Sequence, residues 1–186
     1  ITQPHPPLWV GGWGDLSLKR AARLGDAWIP GPTADLDKLL KLDVPIIEDC
    51  AQAVGGTYRK KPLGTFADAA IFSFYATKMM ATGEGGMVTS NSIELIERIR
   101  DLKTYDEKEA DKVRYNYKMP DVQAAIGEVQ LARLDAFIFQ RKNIANEYFK
   151  YLKSFNIKLP QVNSEHIYYR FVVGLKADVN LLIRKL

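Results

Sequence analysis

Lys78 closes the run Ser73-Phe-Tyr-Ala-Thr-Lys78, with a pair of acids, Glu48-Asp49, upstream and Gly83-Glu-Gly-Gly86 downstream. These residue types suit one kind of chemistry. A desolvated amine condenses with a carbonyl to form a Schiff base, which makes a lysine a covalent catalyst. If the carbonyl belongs to pyridoxal phosphate, the protein must supply that lysine and an acid for the pyridine nitrogen. The acid keeps the ring protonated and able to accept electrons. Glycines let the backbone come close, and hydroxyls hold the phosphate. Taken singly, each residue has a plainer account. Asp49 suits a turn or helix cap, Lys78 a solvated surface, Gln52 an exposed polar position, and Gly83 to Gly86 a tight turn. The glycine run is no P-loop, because no Gly-Lys-Ser/Thr follows it. Spacing and composition alone leave both accounts open.

Such groups act together only if regular elements bring them to one crevice. Leu8-Trp9-Val10 before Gly11-Gly12 reads as a strand and turn. Asp15 to Leu24 spaces Leu16, Leu18, Ala21, Ala22 and Leu24 as a short amphipathic helix stopped by Gly25. Ala27-Trp28-Ile29 reads as a second strand, Thr33 caps a helix to about Leu42, and Val44 to Ile47 is a third strand ending at Glu48-Asp49. Ala69 to Phe74 and Met87 to Thr89 read as strands, and Ser92 to Leu102 as a helix with Ile93, Leu95, Ile96 and Ile99 on its apolar side. Asp106 to Lys112 is a charged surface loop. Pro120-Asp121 opens the strongest helix, whose apolar set runs through Val122, Ala125, Ile126, Val129, Leu134, Phe137 and Ile138 to Leu152. Tyr168 to Val173 is the last expected strand. Strands alternating with helices predict an α/β fold with a mostly parallel sheet and flanking helices. Ligands of such sheets collect outside the carboxyl ends of the strands. Asp49, Ser73 and Lys78 are therefore expected at one crevice.

Composition narrows the classes further. The 186 residues are 47% hydrophobic and 26% charged, values of an ordinary globular chain. The net charge of +4 carries no basic block, so no nucleic-acid partner is expected. No apolar run reaches the roughly 18 residues of a membrane span, and the opening residues do not read as a signal peptide. One cysteine, Cys50, and two histidines, His5 and His166, form neither a disulfide nor a metal centre. A reducing, cytoplasmic setting is expected.

The four segments Glu48-Asp49-Cys-Ala-Gln52-Ala, Ser73 to Lys78, Gly83 to Gly86 and Tyr115-Asn116-Tyr-Lys-Met-Pro-Asp-Val-Gln-Ala-Ala-Ile-Gly127 share an order. Together they closely resemble the DegT/DnrJ/EryC1/StrS family. Its members are pyridoxal-phosphate-dependent aminotransferases of fold type I that act mostly on nucleotide-linked keto-sugars. The resemblance runs from about Ala34 to Leu186. It implies that Lys78 bonds the cofactor and moves a proton between Cα and C4′. It implies Asp49 against the pyridine nitrogen, Gln52 near the ring and its phenolic oxygen, and Ser73 on the phosphate. Asn116 matches an asparagine that reaches the phosphate from the other subunit, so a homodimer with shared sites is implied, as is glutamate as amino donor. Glu84 and its glycines match a structural turn. An ionised Asp49 against a pyridinium is worth about 1.5–3 kcal/mol.

The resemblance has two gaps. Family members carry, upstream of the acid, a Gly-Thr-type phosphate turn and an aromatic stacked on the ring, and nothing in residues 1–43 resembles these. They also continue past the equivalent of Leu186. Residues 7–33 resemble instead a strand–helix–strand segment of luciferase-like monooxygenases, TIM barrels that use flavin or deazaflavin. One such piece cannot close an eight-stranded barrel, and Trp9, Trp13 and Trp28 are expected to pack a core. The sequence therefore reads as a chimera joined near Pro32 to Leu40. Its expected parts are a luciferase-like segment over 1–33, an aminotransferase large-domain core over 34–160, and the start of a small domain over 161–186. The alternative is a non-catalytic chimeric or truncated domain that keeps the motif without the full pocket.

Overall fold

A computed structural model describes residues 9–12, 16, 19, 23, 27–30, 44–106, 108, 112–162 and 165–175. The expected helix from Thr33 to Leu42 lies outside the described residues. The chain divides into two compact units, Ile1–Ile46 and Ile47–Leu186. In the first, β1 (Trp9–Gly12) pairs in parallel with β2 (Ala27–Pro30), from Trp9↔Ala27 to Gly12↔Pro30. Leu16, Lys19 and Arg23 between them are helical. A parallel pair needs a crossover of this kind, so the expected strand–helix–strand order is present.

The second unit contains β3 (Ile47–Asp49), β4 (Thr57–Tyr58), β5 (Lys61–Pro62), β6 (Ala69–Ser73) and β7 (Gly86–Thr89). Three helices follow: α1 (Ile93–Leu102), α2 (Asp121–Ala132) and α3 (Leu134–Leu152). β6 is the middle strand of a three-stranded sheet, parallel to β3 and antiparallel to β7. β4 and β5 form a separate hairpin. Its two turn residues, Arg59 and Lys60, have φ of 50° and 64°, the left-handed geometry that matches the twist of paired strands. The α/β expectation holds, with one antiparallel neighbour where a loop rather than a crossover helix joins β6 to β7.

Three expectations need correction. The strand placed at Val44 to Ile47 begins only at Ile47, and Glu48 and Asp49 lie within it. Pro45 has no N–H to give a ladder, which delays the pairing. The long helix from Asp121 to Leu152 is two helices. Arg133 stands at φ −103° and ψ 0°, and its N–H turns back to the carbonyls of Gln130 and Leu131. Tyr168 to Val173 forms no strand, and the nearest pairing is a single bridge, Lys158↔Gly174. Tyr168 has φ 49°, and its N–H bonds to Nδ1 of His166 at 2.8 Å. A side chain has taken the donor that a ladder would use.

The buried core is Val54, Phe74, Met79, Met80 and Ile167, with Phe72, Met119, Leu134, Phe137, Ile138 and Tyr169 packed against it. The residues just after β6 are thus covered by the start of α3 and by the segment that follows α3.

Candidate active site

In a parallel pair, residues in register project to the same face, and so do residues two apart on one strand. Asp49 is in register with Ile71, and Ser73 lies two residues beyond Ile71. Asp49 and Ser73 therefore share one face at the carboxyl ends of neighbouring strands. Phe72 and Phe74 alternate to the other face and enter the core.

Beyond Ser73 the chain folds against the glycine run. Phe74 N–H donates to the Gly85 carbonyl at 2.8 Å, Ala76 N–H to Gly83 at 3.0 Å, and Thr82 N–H to Phe74 at 2.8 Å. Lys78 N–H closes a turn onto the Tyr75 carbonyl at 2.9 Å. A Cβ on Gly86 would come within 2.8 Å of the Phe72 carbonyl oxygen, and Gly85 holds φ 147° beside the Thr82 hydroxyl. Only glycine tolerates so close a backbone, which gives this stretch its structural role. Lys78 sits between buried anchors, Phe74 on one side and Met79-Met80 on the other. Its backbone is fixed while its amine remains available.

The five residues singled out in the sequence spend little of their bonding capacity within the chain. Asp49 Oδ1 accepts the Ala51 N–H at 3.0 Å, and Ser73 Oγ accepts the Tyr75 N–H at 3.4 Å. Lys78 forms no ion pair with a described residue. Its Nζ lies 5.4 Å from the centre of the Tyr169 ring. Gln52 and Asn116 are exposed, and their side chains have no hydrogen-bond partner among the described residues. A carboxylate and a hydroxyl on one sheet face, with an amide and an amine in the adjoining turns, match the needs of a pyridinium, a phosphate and a carbonyl carbon. The residues present fit pyridoxal phosphate.

Asn116 lies on a different part of the unit. Tyr115 N–H donates to Leu102 O at 2.8 Å and Tyr117 N–H to Lys103 O at 3.0 Å, which ties this segment to the end of α1. The two tyrosine rings stack at 5.1 Å and 5°. Asn116, between them, is exposed. Asp101 steadies the preceding loop by pairing with Lys108 at 2.8 Å, Lys112 at 2.6 Å and Arg114 at 3.0 Å. Hydrogen bonds from Lys108 and Lys112 hold its carboxyl well below the usual range. Met119 carries the segment to Gly85, but no described contact joins the Asn116 side chain to Asp49 or Lys78.

Sequence reasoning gave no role to two residues that shape this region. Glu48 faces away from Asp49, and its carboxylate accepts the N–H groups of Gly64 at 2.8 Å, Phe66 at 2.6 Å and Ala67 at 3.1 Å. It fastens the end of β3 to the loop that enters β6. Strand alternation carries the signal, since adjacent acids on a strand must face opposite ways. Tyr169 meets Lys78 from the far end of the unit, across an irregular segment that shows no periodicity. Cys50 is buried, and burial foremost, then the charge of Glu48, pushes its thiol up to about 12. A thiol so protonated is chemically quiet. No helix among the described residues is long and apolar enough to cross a membrane, and no described group of His, Cys, Asp and Glu could hold a metal ion.

A lysine held in the turn after a sheet strand, with an acid at the end of the parallel neighbour, fits the α/β fold of the fold-type-I aminotransferases. Residues 29–186 match the DegT/DnrJ/EryC1/StrS aminotransferase family, and the chain belongs to it. It is 38% identical over 144 residues to GDP-perosamine synthase of Escherichia coli O157:H7, covering 73% of this chain and 38% of that protein. Among solved structures, DesV of S. venezuelae in complex with a ketimine intermediate superposes with a TM-score of 0.76 at 25% identity, over 97% of this chain and 62% of that one. Spr1654 of Streptococcus pneumoniae in its PLP form gives 0.70 at 25% identity, over 84% of this chain and 44% of that one. The chain spans 38% to 44% of the length of the first relatives it matches.

Proposed function

We propose that this chain is the cofactor-bearing part of an aminotransferase that moves an amino group from an amino acid, glutamate, to a nucleotide-linked keto-sugar. The observation that carries the reading is the shared face of Asp49 and Ser73 beside a turn that presents Lys78. Pyridoxal phosphate, when bound, supplies a carbonyl carbon for a Schiff base with Lys78 and a ring that accepts electrons. Lys78 Nζ then carries the proton to and from the reacting carbon. Asp49 keeps the ring nitrogen protonated, Gln52 orients the ring at its phenolic oxygen, and Ser73 holds the phosphate. Asn116 completes the phosphate site of a second copy in a homodimer, a role supported by its exposed, unbonded amide.

The test is the visible spectrum of the protein with added pyridoxal phosphate, then with glutamate. A band that glutamate bleaches, and that Lys78→Ala lacks, is the expected result. The exposure of Asp49 and Gln52 favours a second reading, a domain that binds the cofactor without turnover. A band that glutamate leaves unchanged would select it, and no band in the folded protein would overturn both readings.

A further inference from the structure

The Lys78 ammonium lies 5.4 Å from the centre of the Tyr169 ring, within the range in which a ring face attracts a cation. That ring is held from several sides. Its hydroxyl is 3.4 Å from Oγ1 of Thr77, the residue beside Lys78, and its carbonyl accepts Arg141 Nη1 at 3.2 Å. The ring also packs on the core that anchors Phe74, Met79 and Met80. Arg170 places its guanidinium 5.6 Å from the same ring. The bond to Thr77 first, and then the charges of Lys78 and Arg170, lower the phenol from its ordinary value. A rigid aromatic surface therefore stands beside the lysine, and no described carboxylate competes for the amine.

We propose that the face of Tyr169 is the resting place of the Lys78 ammonium whenever its nitrogen is not bonded to a carbonyl. This role rests on the aminotransferase reading. A lysine that alternates between a bonded and a free state needs a defined position in the free state. A carboxylate there would hold the charge too firmly to release it, whereas a ring face holds a cation weakly. Tyr169 is thus a positioning residue that acts through Lys78.

The experiment labels the cofactor-free chain with a trace of acetic anhydride. Acetylation of Lys78 is read by mass spectrometry against exposed Lys153. Tyr169→Phe keeps the ring face and is expected to stay within twofold of the parent, while Tyr169→Leu is expected to raise Lys78 labelling about two- to fivefold. Fluorinated phenylalanines at position 169 drain charge from the ring face with little change of shape. Labelling is expected to climb stepwise with each fluorine, which keeps the test decisive if the leucine variant does not fold. Equal labelling across the fluorinated series, or a rise in Tyr169→Phe as large as in Tyr169→Leu, would overturn the resting place. Borohydride trapping of pyridoxal phosphate on Lys78 separates the two claims. A parent chain that shows the labelling pattern but traps no cofactor would contradict the aminotransferase reading, and the resting role with it, while the contact itself stands.

Discussion

Asp49 and Glu48 are neighbours on one short strand with opposite tasks. Asp49 faces the side that carries Ser73, while Glu48 turns away and satisfies three backbone N–H groups of the 64–67 loop. Removing that acceptor leaves donors unpaired, a loss of about 1–3 kcal/mol. Glu48→Ala is therefore expected to lower the unfolding free energy from urea titration by that amount, and Glu48→Gln by less, because an amide oxygen still accepts. Cys50, beside them, reports on the same region. Its folded value of about 12 stands above the ordinary 9.0. A raised value means that its contribution to stability is whole below pH 9 and is lost as pH climbs from 9 toward 12. Unfolding curves at pH 8, 9 and 10 are expected to converge with those of Cys50→Ala as pH rises. Curves that stay parallel would contradict the burial of this thiol.

At the scale of elements, the site depends on how the turn after β6 is held. Phe74, Met79 and Met80 are buried on either side of Lys78, so packing fixes the backbone while the amine forms no ion pair with a described residue. Met80→Ala removes contacts from this cluster and is expected to cost about 2–5 kcal/mol in chemical unfolding. Trapping of cofactor on Lys78 should weaken with it. β6, β7 and α1 were legible because their signals are local. Ser92 is a capping residue whose Oγ accepts the Leu95 N–H at 3.2 Å, and Gly86 to Thr89 follows a glycine turn. The break at Arg133 was hidden because both flanking helices keep one periodicity across it. The segment from Tyr168 misled for a different reason. Its aromatic residues satisfy the cluster of Phe149, Tyr168 and Phe171 rather than a strand. Asp49, Ser73 and Lys78 stand out in the sequence only through the family motifs they resemble. Tyr169 does not, because its approach to Lys78, 91 positions away in the chain, depends on tertiary folding, a relation no local pattern encodes.

For the whole molecule, the exposed apolar surface is the feature that bears on assembly. Val122, Ile126 and Val129 share one side of α2 and are 74%, 44% and 60% exposed, at the spacing that builds a helical stripe. The homodimer proposed above would use such a stripe. Val129→Glu is expected to shift sedimentation toward the monomer, and an unchanged profile in both chains would exclude α2 from the contact. The central claim, however, is that the lysine after β6 receives pyridoxal phosphate beside Asp49. Its most direct test is reduction of the protein–cofactor mixture with borohydride, followed by peptide mass mapping. The account predicts a single stable adduct on Lys78, lost in Lys78→Ala and diminished in Asp49→Ala. Adducts scattered over exposed lysines, or an Asp49→Ala chain that traps cofactor as well as its parent, would contradict it.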